Sequence, residues 1–242
     1  MPELRPTFHQ QLAEVQRDLV RVAARVTETI MRGTDALVDA DLAAAQALID
    51  GDDEIDALTL DIEERCFMIL ARQQPMASDM RAVVTALRLT SEIERSGDLM
   101  VNVAKATRRI YGSEVPVPLR SLLHAMAGEA VRLYGLAMDA YAEGDANLAG
   151  ALDDMDDRLD QLHEDYIQTI LELHADVRDV QMAVQLALVG RYYERIGDHA
   201  VNIGERVQYM VTGWLPEHTG AARLAARALS GTDGSGLDGA RR

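Results

Sequence analysis

The chain has few of the residues that build sheets and loops. It carries two Phe, one Trp, 17 Gly and six Pro in 242 residues, too little for a β-rich or loop-rich protein of this size. The prolines stand at positions 2, 6, 75, 116, 118 and 216 and leave long stretches uninterrupted. A single cysteine, Cys66, excludes an intrachain disulfide and suits a reducing compartment. Beside Phe67, Met68 and Ile69 it reads as a buried, unreactive thiol. Basic residues are also short. The 24 Lys and Arg against 40 Asp and Glu leave a net charge of −16, and no Lys/Arg run offsets it. An acidic surface repels a phosphate backbone, which argues against a nucleic-acid role. No window approaches the ~20 apolar residues of a membrane span. The most apolar stretch, 182–190, is short and contains Gln185, and residues 1–10 lack the apolar core of a signal peptide. A soluble, cytoplasmic protein without membrane insertion is expected.

What remains is dominated by Ala, Leu, Met, Glu, Asp, Arg and Gln, which lose little rotamer freedom in a helix. Leu12, Val15, Leu19, Val22, Val26 and Ile30 recur at spacings of three and four, predicting a first helix to about residue 38. Asp41 reads as the N-cap of a second, running to about residue 73 with Ile55, Leu58, Ile62 and Ile69 inward, its first turns loosened by Gly51. Pro75 closes the connection. Ser78 or Asp79 caps a third helix that ends at Gly112. Residues 113–118 hold two prolines and read as a linker. The pattern then restarts with Leu119, Leu122, Met126, Leu133 and Leu136. Asp145 caps a fifth helix, with Leu152, Met155, Leu159, Leu162 and Tyr166 inward. A sixth runs from about residue 177 to 211 and stops at Gly213. The fold class predicted is all-α, with six long antiparallel helices in two tandem pseudo-symmetric three-helix bundles. The divisions are an N-terminal extension 1–6, a first bundle 7–112, the linker 113–118, a second bundle 119–215, and a tail 216–242 too poor in apolar residues to be ordered. Each half is large enough for its own core.

The halves repeat each other. Glu94-Arg95-Ser96-Gly97-Asp98 and Asn102 align with Glu194-Arg195-Ile196-Gly197-Asp198 and Asn202 at an offset of 100, and six of ten positions match across 94–103. Upstream, Asp53, Ile55, Asp56 and Leu58 line up with Asp157, Leu159, Asp160 and Leu162 at an offset of 104. The second copy is therefore four residues shorter in the turn before its last helix. Packing alone does not demand E-R-x-G-D-x-x-x-N twice, so a duplicated unit is the better explanation.

Glu94, Asp98 and Asn102, like Glu194, Asp198 and Asn202, stand at i, i+4 and i+8, which puts each trio on one helix face. Two carboxylates at i and i+4 repel each other by a few tenths of a kcal/mol. A hard or borderline cation held between them would remove that cost. In the last helix Met182, Leu186, Val189, Tyr193, Ile196, Ala200, Ile203, Val207 and Met210 form the core seam. Glu194 lies about 100° round from it, so the carboxylates flank the core. Gly97 and Gly197, each costing up to ~1 kcal/mol against Ala, leave room for a close approach. A solvated acidic face paired with Arg95 and Arg195 competes with this reading. For Asp53, Asp56, Asp157 and Asp160 solvated charge is the better one; His199, beside Asp198, is a candidate to join a site, though a lone helix histidine is more often solvated. No G-x-x-x-x-G-K-[ST], H-E-x-x-H or G-x-S-x-G occurs, and an E-x-x-H-like element appears once, at Asp160–His163. An enzyme is not expected.

The doubled E-R-x-G-D-x-x-x-N, Arg81 in Ala77-Ser78-Asp79-Met80-Arg81, the Asp-x-x-Ile-Asp-x-Leu from Asp52–Asp53 to Leu58, and six helices in two halves resemble the PhoU family over roughly residues 8–212. The resemblance implies two three-helix bundles and a negative regulator of the phosphate-starvation response and phosphate uptake. It implies partners too: the ATPase subunit of a phosphate ABC transporter, a sensor histidine kinase, and a second copy in a homodimer. It also implies a surface multinuclear iron or zinc cluster, here on Glu94, Asp98, Glu194 and Asp198, with Asn102 and Asn202 as additional polar ligands. Gln181 stands where the first half has Arg81, so that arginine's role is not duplicated. A metal-free helical scaffold or adaptor, or an oxygen-ligand metalloenzyme, are the alternatives.

Overall fold

A computed structural model describes residues 6–173 and 180–214. Residues 1–5 of the extension, the start of the sixth helix before Val180 and the tail lie outside the described residues. Seven helical segments occur among those described, and no strand: α1 Pro6–Val38, α2 Leu42–Asp50, α3 Asp52–Gln73, α4 Ser78–Arg109, α5 Val117–Glu143, α6 Ala146–Leu173 and α7 Val180–Thr212. The second expected helix is interrupted at Gly51, and α2 and α3 are its two parts. Asp52, Asp53 and Glu54 restart it, placing three negative charges where the new helix dipole favours them.

The caps follow the sequence at two positions and depart from it at a third. Asp41 accepts from the Ala43 and Ala44 amides, both at 2.9 Å. Asp145 does the same for Asn147 and Leu148 at 2.8 and 3.1 Å. Ser78 and Asp79 do not cap α4; they lie in its first turn, after Ala77 at φ +50°. Pro118 is the second residue of α5, where the missing N–H costs nothing.

The helices form two layers. α3, α4, α7 and α6 stand in that order as a front row, with α1 behind α3 and α4 and α5 behind α7 and α6. α4 and α7 run antiparallel. Arg81 Nε donates to the Met210 carbonyl (3.1 Å), Thr85 Oγ1 to the Arg206 carbonyl (3.3 Å), and Arg109 to Gln185 (3.2 Å). α1 and α5 are antiparallel too, with Gln16 donating to the carbonyls of Tyr141 and Ala142. The α7 seam is buried from Met182 to Val207, with Met210 packed partly against it.

Expectation and structure part over the core. Apart from a small satellite of Ala36, Ala45, Leu48 and Ala104, nearly all the buried apolar side chains of both halves belong to one continuous cluster. The halves do not keep separate cores; α4 on α7 and α1 on α5 join them. Cys66 is buried, and burial pushes its thiol up to about 11, an unreactive state. No helix among the described residues is long and apolar enough to cross a membrane.

Candidate functional site: two carboxylate clusters and the seam between them

Each half carries an acidic cluster where its second long helix meets its third. In the first half, Glu94 and Asp98 of α4 are exposed on the edge facing α3. They face Asp52 and Asp56 from the first two turns of α3. The carboxyl of Asp52 is raised to about 6, first by burial and then by the charges of Asp56 and Asp98, with Lys105 pulling the other way. Asp56 is raised by burial and by Asp98, and Glu94 by burial, Asp56 and Asp98. These four groups are near enough to feel one another as charge.

In the second half the counterpart of Asp52 is Asp156 on α6, and it is more deeply set. It is 8% exposed, and its Oδ1 is buried without a hydrogen-bond partner. Burial and then Asp160, Asp198, Asp153 and Asp157 raise it to about 7. Asp153, Asp156, Asp157, Asp160, Asp198 and Asn202 line one open hollow.

The two glycines meet these clusters unequally. A Cβ on Gly97 would find Ile55 and Asp52 at 3.7–3.8 Å, an ordinary contact. A Cβ on Gly197 would stand 2.4 Å from Asp156 Oδ1 and 2.6 Å from Leu159 Cδ2. Gly197 thus forms the wall against which the Asp156 carboxylate rests.

Of the residues singled out from the sequence, the structure brings Glu94 and Asp98 together with α3, and Asp198 together with α6. Glu194 is mostly buried and paired with Arg191 one turn earlier. Arg95 pairs with the buried Glu92 at 2.5 Å, not with Glu94. Asn202 donates to the other oxygen of Glu92 at 3.3 Å while also lining the second hollow. Asn102 is partly buried. Asp53 and Asp157 add charge at the rims, whereas Asp52 and Asp156 sit at the centres and were missed. Extending the 104-residue offset one position upstream would have paired them and exposed a D-x-x-x-D on each second helix.

His199 corrects a further expectation. It is 4% exposed and shares a 2.9 Å hydrogen bond with Ser96 Oγ across the α4–α7 seam. Burial, then Arg95 and Arg195, lower it to about 4, so it is neutral near pH 7. A second link between the halves is the buried 2.6 Å bond between the hydroxyls of Thr34 and Tyr193.

The chemistry of the clusters fits a cation. The first offers carboxylate oxygens and the second carboxylates beside the Asn202 amide; burial and neighbouring charge raise the proton affinity of Asp52 and Asp156, and Asp156 has a buried oxygen with no donor. As placed, no three His, Cys, Asp or Glu side chains among the described residues stand together to hold one metal ion. Ligation would need side-chain rotation, which the exposed Asp98, Asp160 and Asp198 are free to make.

Comparison with known proteins agrees with the duplicated architecture. A family model described as PhoU domain matches twice, at residues 19–107 and 123–207. The phosphate-specific transport system accessory protein PhoU homolog 1 of Mycobacterium tuberculosis is 35% identical over 214 residues, 88% of this chain and 96% of the relative. The homolog from Pseudomonas aeruginosa is 31% identical over 219 residues, 90% of each chain. The crystal structure of PhoU from Pseudomonas aeruginosa superposes with a TM-score of 0.80 at 29% identity, covering 86% of this chain and all of that one. The phosphate transport system regulatory protein PhoU from Streptococcus pneumoniae gives the same TM-score at 27% identity, with 86% and 99% covered.

Proposed function

Since the chain belongs to the PhoU family, we propose that it is a cytoplasmic accessory regulator of phosphate uptake that holds cations at its two carboxylate clusters. In this reading it restrains the phosphate-starvation response, standing between the phosphate ABC transporter and a sensor histidine kinase. Its work is regulatory and not catalytic. Support for the transport role comes from the relatives, which are described as accessory or regulatory proteins of phosphate transport.

The observation that carries the cation reading is Asp156. A mostly buried carboxylate, with one oxygen unpartnered and four other aspartates around it, is costly unless protonated or neutralised. Asp52, Asp56, Glu94 and Asp98 would hold an ion in the first half; Asp156, Asp160 and Asp198 would do so in the second. Glu194 joins only if it leaves Arg191. Iron, zinc or manganese suit such ligands, and a bound ion supplies charge neutralisation there.

The cation reading is tested by elemental analysis of protein purified without chelators, with thermal melts in iron, zinc, manganese or EDTA. Wild type should carry metal and gain a metal-dependent rise in Tm, because ligand binding to the folded state alone stabilises it. Asp52→Ala with Asp98→Ala, and Asp156→Ala with Asp198→Ala, should each lower metal content while the chain stays folded in EDTA. Wild type without metal, and without a shift in any of these ions, would refute the cation reading. The regulatory reading is tested separately. Deleting the gene should derepress phosphate-scavenging genes in phosphate-rich medium; unchanged repression, also when any paralogue is deleted, would count against it.

A further inference from the structure

The acidic chain contains a basic groove that no run of sequence announces. On α4, Thr85, Glu92 and Ser96 touch α7. Arg88 and Arg95 stand three residues beyond Thr85 and Glu92, on the exposed side of the same stripe. On α7, His199, Asn202 and Arg206 form the matching stripe, and Arg195 lies one turn before His199. Both Arg95 and Arg195 are close enough to His199 to lower its proton affinity. The antiparallel register puts Arg206 beside Thr85 and Arg88, and Arg95 and Arg195 near the Ser96–His199 pair. The four guanidinium-bearing positions therefore line the outer furrow between α4 and α7 over about 16 Å, at 1.5 Å per residue. Arg95 is tied to Glu92, but Arg88 and Arg195 pair with no carboxylate among the described residues.

We propose that this furrow is a docking surface for an acidic peptide segment of a partner protein, gripped by Arg88, Arg95, Arg195 and Arg206. Its dimensions select the occupant. Four arginines strung along a helix–helix furrow match repeated carboxylates on one narrow element, and guanidinium groups suit carboxylates at an interface. A broad anionic surface such as a membrane would also meet the Asp52–Asp98 and Asp156–Asp198 clusters on either flank and be repelled. A single phosphate would use only part of the length. The proposal does not depend on whether the clusters hold metal.

The test uses full-length protein and a fluorescein-labelled helical peptide rich in alanine and glutamate. Fluorescence anisotropy should show saturable binding that weakens as salt is raised. Arg88→Glu with Arg195→Glu should weaken binding roughly tenfold or more, by placing like charge against the peptide. Arg17→Glu with Arg72→Glu, which makes the same change of net charge elsewhere, should leave binding nearly unchanged. Arg88 and Arg195 are exposed, so a circular-dichroism melt should match wild type and exclude misfolding. Three results would each overturn the proposal: no saturable binding of the peptide, equal weakening by the control pair, or binding of phosphatidylglycerol vesicles or inorganic phosphate in place of the peptide.

Discussion

Two glycines in the same repeated motif should respond to alanine with opposite signs. At Gly97 the new Cβ meets Ile55 and Asp52 at van der Waals distance. The dominant effect is then helix propensity, a gain of about 0.5–1 kcal/mol. At Gly197 the same methyl falls 2.4 Å from Asp156 Oδ1 and 2.6 Å from Leu159 Cδ2. Neither can swing clear, since Leu159 is fully buried and Asp156 is nearly so. Overpacking costs about 1–3 kcal/mol, and two simultaneous clashes put this site at the upper end. After the helix gain is subtracted, a net loss of about 2 kcal/mol remains. In a chain of this size 1 kcal/mol moves Tm by roughly 2–4 °C. Gly97→Ala should therefore melt about 1–4 °C above wild type and Gly197→Ala about 4–8 °C below. Thermal melts in EDTA, backed by urea titrations to confirm an unchanged slope, measure both. Gly197→Ala as stable as wild type would refute the claim that Asp156 rests against a wall only glycine can form. Gly97→Ala falling with it would show that the motif glycines serve backbone geometry.

The raised carboxyls give a pH signature in EDTA. Because Asp156 and Asp52 bind protons more tightly folded than unfolded, stability should rise as pH falls from 8 through about 7 and 6. Asp156→Asn should flatten the upper part of that slope and gain about 1 kcal/mol at pH 8; an unchanged slope in chemical denaturation would contradict the assignment. At the seam, Ser96→Ala strands the buried His199 and should cost about 1–3 kcal/mol, whereas Ser96→Ala with His199→Leu should recover most of it. Additive losses in that cycle would mean the pair is not coupled. Proteolysis should nick residues 112–116 before the helices, and the two fragments should still co-elute on a sizing column because they share one core. Separation of the halves without denaturant would refute that packing.

Period-3.6 patterning made the helices legible, and the caps at Asp41 and Asp145 were readable because an aspartate before an apolar run has few other local uses. The duplication was readable from its glycines and charges. Three features escaped for one common reason: each is made by residues about 40 to 120 positions apart. Asp156 looks like any helix-surface aspartate until α6 lies on Gly197. His199 looks solvated until α4 covers it, and covering it requires the two halves to share a seam. The basic furrow draws two arginines from each of two helices, so a scan for Lys/Arg runs passes over it. Glu194 escaped differently: its claim as a ligand was read from an alignment with Glu94, while Arg191, absent from the first half, binds it locally.

The antiparallel seam also has a history in each molecule's synthesis. α4 ends at Arg109, but the helix that covers its far side is complete only at Thr212. At 5–20 residues per second, a ribosome takes about 5–20 s to make the intervening stretch. For that time the nascent first half presents Leu99, Val103 and Ser96, on the stripe that meets α7, to water. A newly made chain thus has an apolar strip uncovered until its last helix arrives, where another nascent copy or a chaperone can reach it first. Slowing translation between α5 and α7 should lengthen that exposure and lower the soluble yield.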